Sequence, residues 1–178
     1  METEVNATPA ATPRAAGIRF GLIAAVIGIV YFIILNVAGL VGEKVWSWVS
    51  YLITAVIIFF AHKYYKENGD GFMSYSQGVG ISAWIGLISS VIGSVFMYIY
   101  IKFIDTTFIE TIKDKQLEEF QRRGMSDQQI DQAQKFTGMF TTPEVIFGFA
   151  LIGGIVAAVI IGVIVTIFTQ KKNPQPVF

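Results

Sequence analysis

Four long apolar stretches, at residues 18–40, 45–61, 77–103 and 145–168, take up most of a chain of 178 residues. A bilayer core is about 30 Å thick, and a helix rising 1.5 Å per residue needs roughly 20 apolar residues to cross it. The first, third and fourth stretches meet that length. The second is shorter, but Trp46 and Trp48 stand at one end and Tyr64 and Tyr65 at the other, where amphipathic rings favour the two membrane interfaces. Each stretch must be helical, because a backbone facing lipid has to satisfy its own hydrogen bonds. None alternates in polarity as the strands of a transmembrane barrel do. Four such stretches, with at most one charge in each, would leave so short a chain too little polar surface to keep it soluble. The fold class expected is therefore all-α: a polytopic membrane protein with four transmembrane helices in one domain over residues 17–172.

Composition narrows the function. Thirteen basic and thirteen acidic residues cancel, so no global field points to nucleic acid. With no cysteine there is no disulfide framework, thiolate chemistry or iron–sulfur cluster. Residues 1–16, rich in Ala, Thr and Pro with Glu2 and Glu4 among them, read as a disordered tail. Residues 173–178 form a second tail. The first apolar run is too long for a cleaved signal peptide and is read as a span.

The connections set the topology. The turn from Gly39 to Lys44 holds two glycines and forces spans one and two into an antiparallel hairpin. The second helix is expected to continue through His62-Lys63-Tyr64-Tyr65-Lys66-Glu67, with Asn68-Gly69-Asp70-Gly71 supplying positive-φ residues to end it. Ser74-Tyr75-Ser76-Gln77 is spaced as a capping box, which starts helix three at Tyr75 and lets it run to Phe103. Ser126-Asp127-Gln128-Gln129 is a second capping box, and Thr142-Pro143-Glu144 makes a third helix start with proline in first position. Between spans three and four, residues 104–142 read as an amphipathic helical hairpin. Phe108, Ile109, Ile112, Leu117 and Phe120 share one half of its first helix and charges fill the other. A solvated hairpin is the plainer alternative. Arg14, Arg19, Lys63, Lys66, Lys171 and Lys172 on one side nearly match the basic residues on the other, and the bare Lys171-Lys172 pair with the two pre-helix arginines favours both termini on the cytoplasmic side.

Ionisable groups at bilayer depth mark proton and ion paths. On the sequence alone Glu43, Lys44, His62, Lys63, Lys102, Asp105 and Glu144 all fall at helix ends, and His62 reads as an interfacial side chain reaching for water. No nucleophile set, phosphate loop or metal motif stands out, so no catalytic residue, metal or cofactor is expected. The run Gly78-Val79-Gly80-Ile81-Ser82-Ala83 matches a dinucleotide pattern, but it opens a membrane helix rather than following a strand. What the spans do hold is small residues four apart. These are Ser82, Gly86, Ser90 and Ser94 in helix three with Ser89 beside them, and Gly154, Ala158 and Gly162 in helix four; Gly17, Gly21 and Ala25 repeat the spacing in helix one. Such rows let helices approach closely in lipid. Close packing is the simpler reading, and a polar path lined by the serines and Asn36 is the other. Asn36 and Thr54 are both candidates for hydrogen bonds between helices.

Read in order, several segments resemble the integral membrane family DUF4199. They are His62 to Gly69, Ser74 to Gly80, Tyr98-Ile99-Tyr100-Ile101-Lys102-Phe103-Ile104-Asp105, Gly124 to Ile130, and Thr142-Pro143-Glu144. The likeness covers about residues 17 to 172; Thr106 stands where a proline is expected after Asp105. It implies four spans in a bacterial inner membrane and carries over no functional residues. The function expected is a non-enzymatic membrane scaffold or accessory subunit. The alternative is a small transporter or channel with a serine-lined path along helix three. Its partners would be the lipid bilayer and either a second copy or another membrane protein, met through the 104–142 hairpin; nucleic acid is not among them.

Overall fold

A computed structural model describes residues 12–173. It contains six α-helices: α1 (Pro13–Val37), α2 (Lys44–Glu67), α3 (Tyr75–Ile99), α4 (Phe108–Arg122), α5 (Asp127–Gly138) and α6 (Pro143–Thr169). Helices α1, α2, α3 and α6 are long and apolar enough to cross a membrane. Their outer faces present Val26, Leu52 and Ile152, each more than half exposed, as suits a surface solvated by lipid.

Local chemistry sets the helix starts. The capping box before α3 forms, with Ser74 Oγ accepting from Gln77 N–H at 3.3 Å and Gln77 Oε1 accepting from Ser74 N–H at 2.7 Å. Gln129 Oε1 closes the second box on Ser126 N–H at 2.9 Å. Thr142 caps α6 through Val145 N–H at 3.4 Å, with Pro143 in first position. At the amino-terminal end the boundary differs from expectation. Residues 13–16 are helical and Ala16 is fully buried, because Thr12 caps the helix and Pro13 starts it. The rest of the expected tail, residues 1–11, lies outside the described residues, as do residues 174–178.

Two further boundaries differ. In the turn after α2 only Gly71 takes positive φ; Asn68 ends the helix at φ −104° instead. Helix α3 does not run as a plain α-helix to Phe103. Its last turn, Tyr100–Ile104, is π-helical, closed by Asp105 N–H donating to Tyr100 O at 2.8 Å. That widened turn brings Tyr100 inward, where its hydroxyl accepts from Asn36 Nδ2 at 2.6 Å and its ring meets Phe32, Phe96 and Phe108. Asp105 then makes the turn into α4, accepting from both the amide and the hydroxyl of Thr107.

Helix α3 is the centre of the bundle. On one flank α6 runs antiparallel to it, and each four-residue step along α3 is matched by a four-residue step back along α6. A β-carbon added to Gly78 would lie 2.6 Å from Thr166, one on Gly162 would collide with Ser82, one on Gly86 would lie 2.7 Å from Ala158, and one on Gly154 would collide with Ser90. Small residues alternate across the seam, so the backbones approach without space for a side chain at any of these glycines. On the other flank α1 runs parallel to α3, with Gly17 against Trp84 and Gly21 against Ile88.

Helix α2 completes the bundle by half its length. Its buried residues, Ile57, Ile58, Ala61, His62 and Tyr65, all belong to the second half, while Val45 and Trp48 in the first half are 70% exposed. The α4–α5 hairpin sits at the end where α2 begins. Phe108 anchors it in the aromatic group around Phe32, and Lys115 Nζ donates to Gly39 O and Val41 O of the α1–α2 turn at 2.7 and 2.9 Å.

Candidate functional site

The opposite end holds the polar centre of the molecule. Helix α2 carries His62 into the junction with α3 and α6, where its side chain is fully buried. This corrects the interfacial reading of His62, which rested on its place near the end of the second apolar stretch. The helix continues five residues past it, to Glu67, and turns the imidazole inward. One ring nitrogen, Nε2, lies 3.0 Å from Gly78 O, and the other, Nδ1, lies 2.8 Å from Thr169 Oγ1. A carbonyl only accepts, so Nε2 carries a hydrogen.

The other side of the ring has two consistent arrangements. Thr169 Oγ1 also lies 2.9 Å from Val165 O, and a hydroxyl has one hydrogen to give. With neutral imidazole, Thr169 donates to Nδ1; with imidazolium, Nδ1 donates to Thr169 and the hydroxyl turns to Val165 O. The remaining polar groups are satisfied nearby. Ser82 Oγ donates to Gly78 O at 3.0 Å, and Thr166 Oγ1 donates to Gly162 O. Lys66 Nζ donates to Thr169 O at 2.8 Å, closing the carboxyl end of α6. Just outside, Met73 and Lys171 exchange two backbone hydrogen bonds of 2.9 Å, tying the α2–α3 turn to the segment after α6. A buried polar group left unpaired is costly, so this closed network fixes one arrangement of three helices.

The residues singled out in the sequence fall into three places. Ser82, Gly86, Ser90, Gly154, Ala158 and Gly162 meet across the α3–α6 seam. Ser94 is buried with its hydroxyl donating to Val91 O at 3.1 Å, and Ser89 donates to Ile85 O at 2.7 Å. Asn36 does join two helices, through Tyr100, whereas Thr54 bonds back to Ser50 O of its own helix. Thr166 and Thr169 escaped the sequence reading. The signal was the row Gly154, Ala158, Gly162, which continues by the same step to Thr166.

Below the histidine layer the bundle opens. A half-open cavity of about 370 Å³ lies between the first half of α2 and helices α1, α3 and α6. Ile57 and Ile85 form its inner limit, and beyond them Ile58, Ile81, Ser82 and His62 are fully buried. The serine rows therefore do not join into one channel in this structure: Ser89 and Ser90 border the cavity, and Ser82 lies in the closed layer. Among the described residues, no group of three or more His, Cys, Asp or Glu side chains is placed to hold a metal.

A family model described as "Protein of unknown function (DUF4199)" matches residues 19–171. The chain belongs to this family. In this DUF4199 protein the match runs from α1 to the residue bridged to Met73, and so takes in all four spans, the hairpin, the histidine layer and the cavity. No curated protein and no solved structure matches the chain.

Proposed function

We propose that this DUF4199 protein is a non-enzymatic scaffold or accessory subunit of the bacterial inner membrane, with both termini cytoplasmic, which engages a membrane-protein partner through the α4–α5 hairpin. The observation that carries the reading is how the hairpin is attached. It is held at Phe108, at Lys115 and by the ring contact of Phe140 with Phe149, while Glu110, Lys113, Asp114, Glu118, Arg122 and Lys135 face outward. A charged face of both signs, set on an anchored helix pair, has the chemistry of a specific docking surface. The single histidine is engaged on both nitrogens by helix atoms, which fits a structural use. Serine hydroxyls bonded to their own helix and seated on glycines support packing over transport.

Affinity capture from native membranes tests the proposal. The wild-type chain is expected to recover a defined membrane protein, and D114K/E118K is expected to lose most of it while the bundle keeps its stability. Equal recovery by the two chains contradicts the proposal.

A further inference from the structure

The cavity beneath α2 lies at a depth where the solvent is hydrocarbon. Its walls are residues 24–32 of α1, 50–57 of α2, 85–97 of α3 and 150–158 of α6, all within the four spans. Its volume is at the lower end of the roughly 300–1,000 Å³ typical of ligand pockets. The space exists because small residues line it. No atom lies within 4 Å of a β-carbon built on Gly28 or on Gly93, and Ala150 and Ala157 face them from α6.

The lining chemistry selects the occupant. Four of the six hydroxyls on the wall are spent within the protein: Tyr31 donates to Trp46 O at 2.7 Å, Ser50 to Ser47 O at 2.7 Å, Thr54 to Ser50 O at 3.0 Å and Ser89 to Ile85 O at 2.7 Å; of the other two, Ser90 is seated against Gly154 and Tyr51 is nearly half exposed. A water needs two to four polar partners close together, and the rest of the wall is apolar side chains and small residues that offer none. A partner helix is excluded by size, since a helix with its side chains is about 10–12 Å across. A saturated chain needs no hydrogen bonds, is narrow, and is supplied by the bilayer at this depth. An empty apolar space would forgo dispersion contacts along the whole wall.

We infer that the cavity holds one acyl chain of a bilayer phospholipid, inserted between the first half of α2 and the α1–α3–α6 core, with its tip against Ile57 and Ile85. The chain takes the place of the side chains that Gly28 and Gly93 lack, and it supports the first half of α2.

The test uses the full chain in phospholipid vesicles doped with a phosphatidylcholine carrying a diazirine near the end of one tail. Irradiation is followed by peptide mass spectrometry. Labelling is expected at Ile57, Ile85 and Ser89, reaching one adduct per chain, alongside diffuse labelling of outward residues such as Val91 and Ile152. G28L and G93L fill the cavity and are expected to lower interior labelling about tenfold, with outward labelling unchanged as proof that the bundle is intact. G153L, on a lipid-facing glycine with no atom within 4 Å of its added carbon, is expected to change neither. Interior labelling that is absent, or equal in wild type and G28L, overturns the proposal. So does interior labelling removed by a polyisoprenol but not by the same fraction of added phospholipid, which assigns the cavity to a different lipid.

Discussion

At the end of the bundle that carries His62, three helices meet on a buried network: both imidazole nitrogens, two threonine hydroxyls, a serine and a lysine find partners within it. At the other end the same α2 has no buried residue in its first half, and the space beneath it is a cavity. The hairpin there is held by Phe108, Lys115 and a ring contact rather than by a continuous interface. Lipid offers no hydrophobic drive for helices to associate, so their contact depends on close approach and polar bonds. The histidine end has both of these, and the hairpin end has given up part of each in exchange for accessible surface.

The contrast breaks most visibly at the α3–α6 seam. Gly162→Leu puts a branched side chain where even one carbon collides with Ser82. It is expected to cost more than about 3 kcal/mol, beyond the usual overpacking penalty, as measured by unfolding in mixed micelles. The same change at Gly28 is expected to leave stability unchanged or raise it by up to about 1 kcal/mol, since leucine is the better helix former. Equal losses at the two glycines would erase the distinction between the ends.

His62→Leu removes two buried hydrogen bonds, leaving Gly78 O to Ser82 Oγ and the Thr169 hydroxyl to Val165 O. The expected loss is about 1–3 kcal/mol, and His62→Gln, which can donate to Gly78 O, is expected to recover part of it. A smaller effect belongs to the hairpin. Lys115→Met frees two carbonyls of the α1–α2 turn and is expected to cost roughly 0.5–1.5 kcal/mol, seen as faster proteolysis of α4 with the spans unaffected. The smallest comes from pH. Hydrogen bonding to the Arg123 guanidinium, at 2.9 Å, holds the Glu119 carboxyl below its usual range. A carboxylate depressed in the folded state contributes stability above the ordinary value and loses it as pH falls through the folded one. Acidification through that window is expected to loosen the carboxyl end of α4 slightly, and Glu119→Gln to remove the pH dependence; protease sensitivity between Arg122 and Met125 measures both.

The four spans and the helix starts were legible because each rests on a local rule. An apolar run of sufficient length, Ser74 with Gln77, and Thr142 before Pro143 each act within a few residues. The rows of small residues were legible as rows, but not the identity of their neighbours, which depends on register between helices distant in sequence. His62 was misread for the same reason. Its place at the end of an apolar stretch suggested an interface, and nothing local reveals that α6 brings Thr169 to within 2.8 Å of the ring. The π turn at Tyr100 and the cavity were likewise hidden. The first places Tyr100 against Asn36 and Phe32, which are distant in sequence, and the second depends on where α2 diverges.

The most direct test measures the two ends in one bilayer. The chain has no cysteine, so spin labels can be placed in pairs on exposed residues of α2 and α6: Phe60 with Phe168 at the histidine end, Trp48 with Ile152 at the hairpin end. Pulsed electron–electron resonance should give one narrow distance distribution for the first pair. For the second, a distribution about twofold wider is expected, as regions of unequal local stability differ in spread. Adding His62→Leu should broaden the first pair toward the second. Equal widths in the wild-type chain, or a first pair indifferent to the loss of His62, would contradict the account.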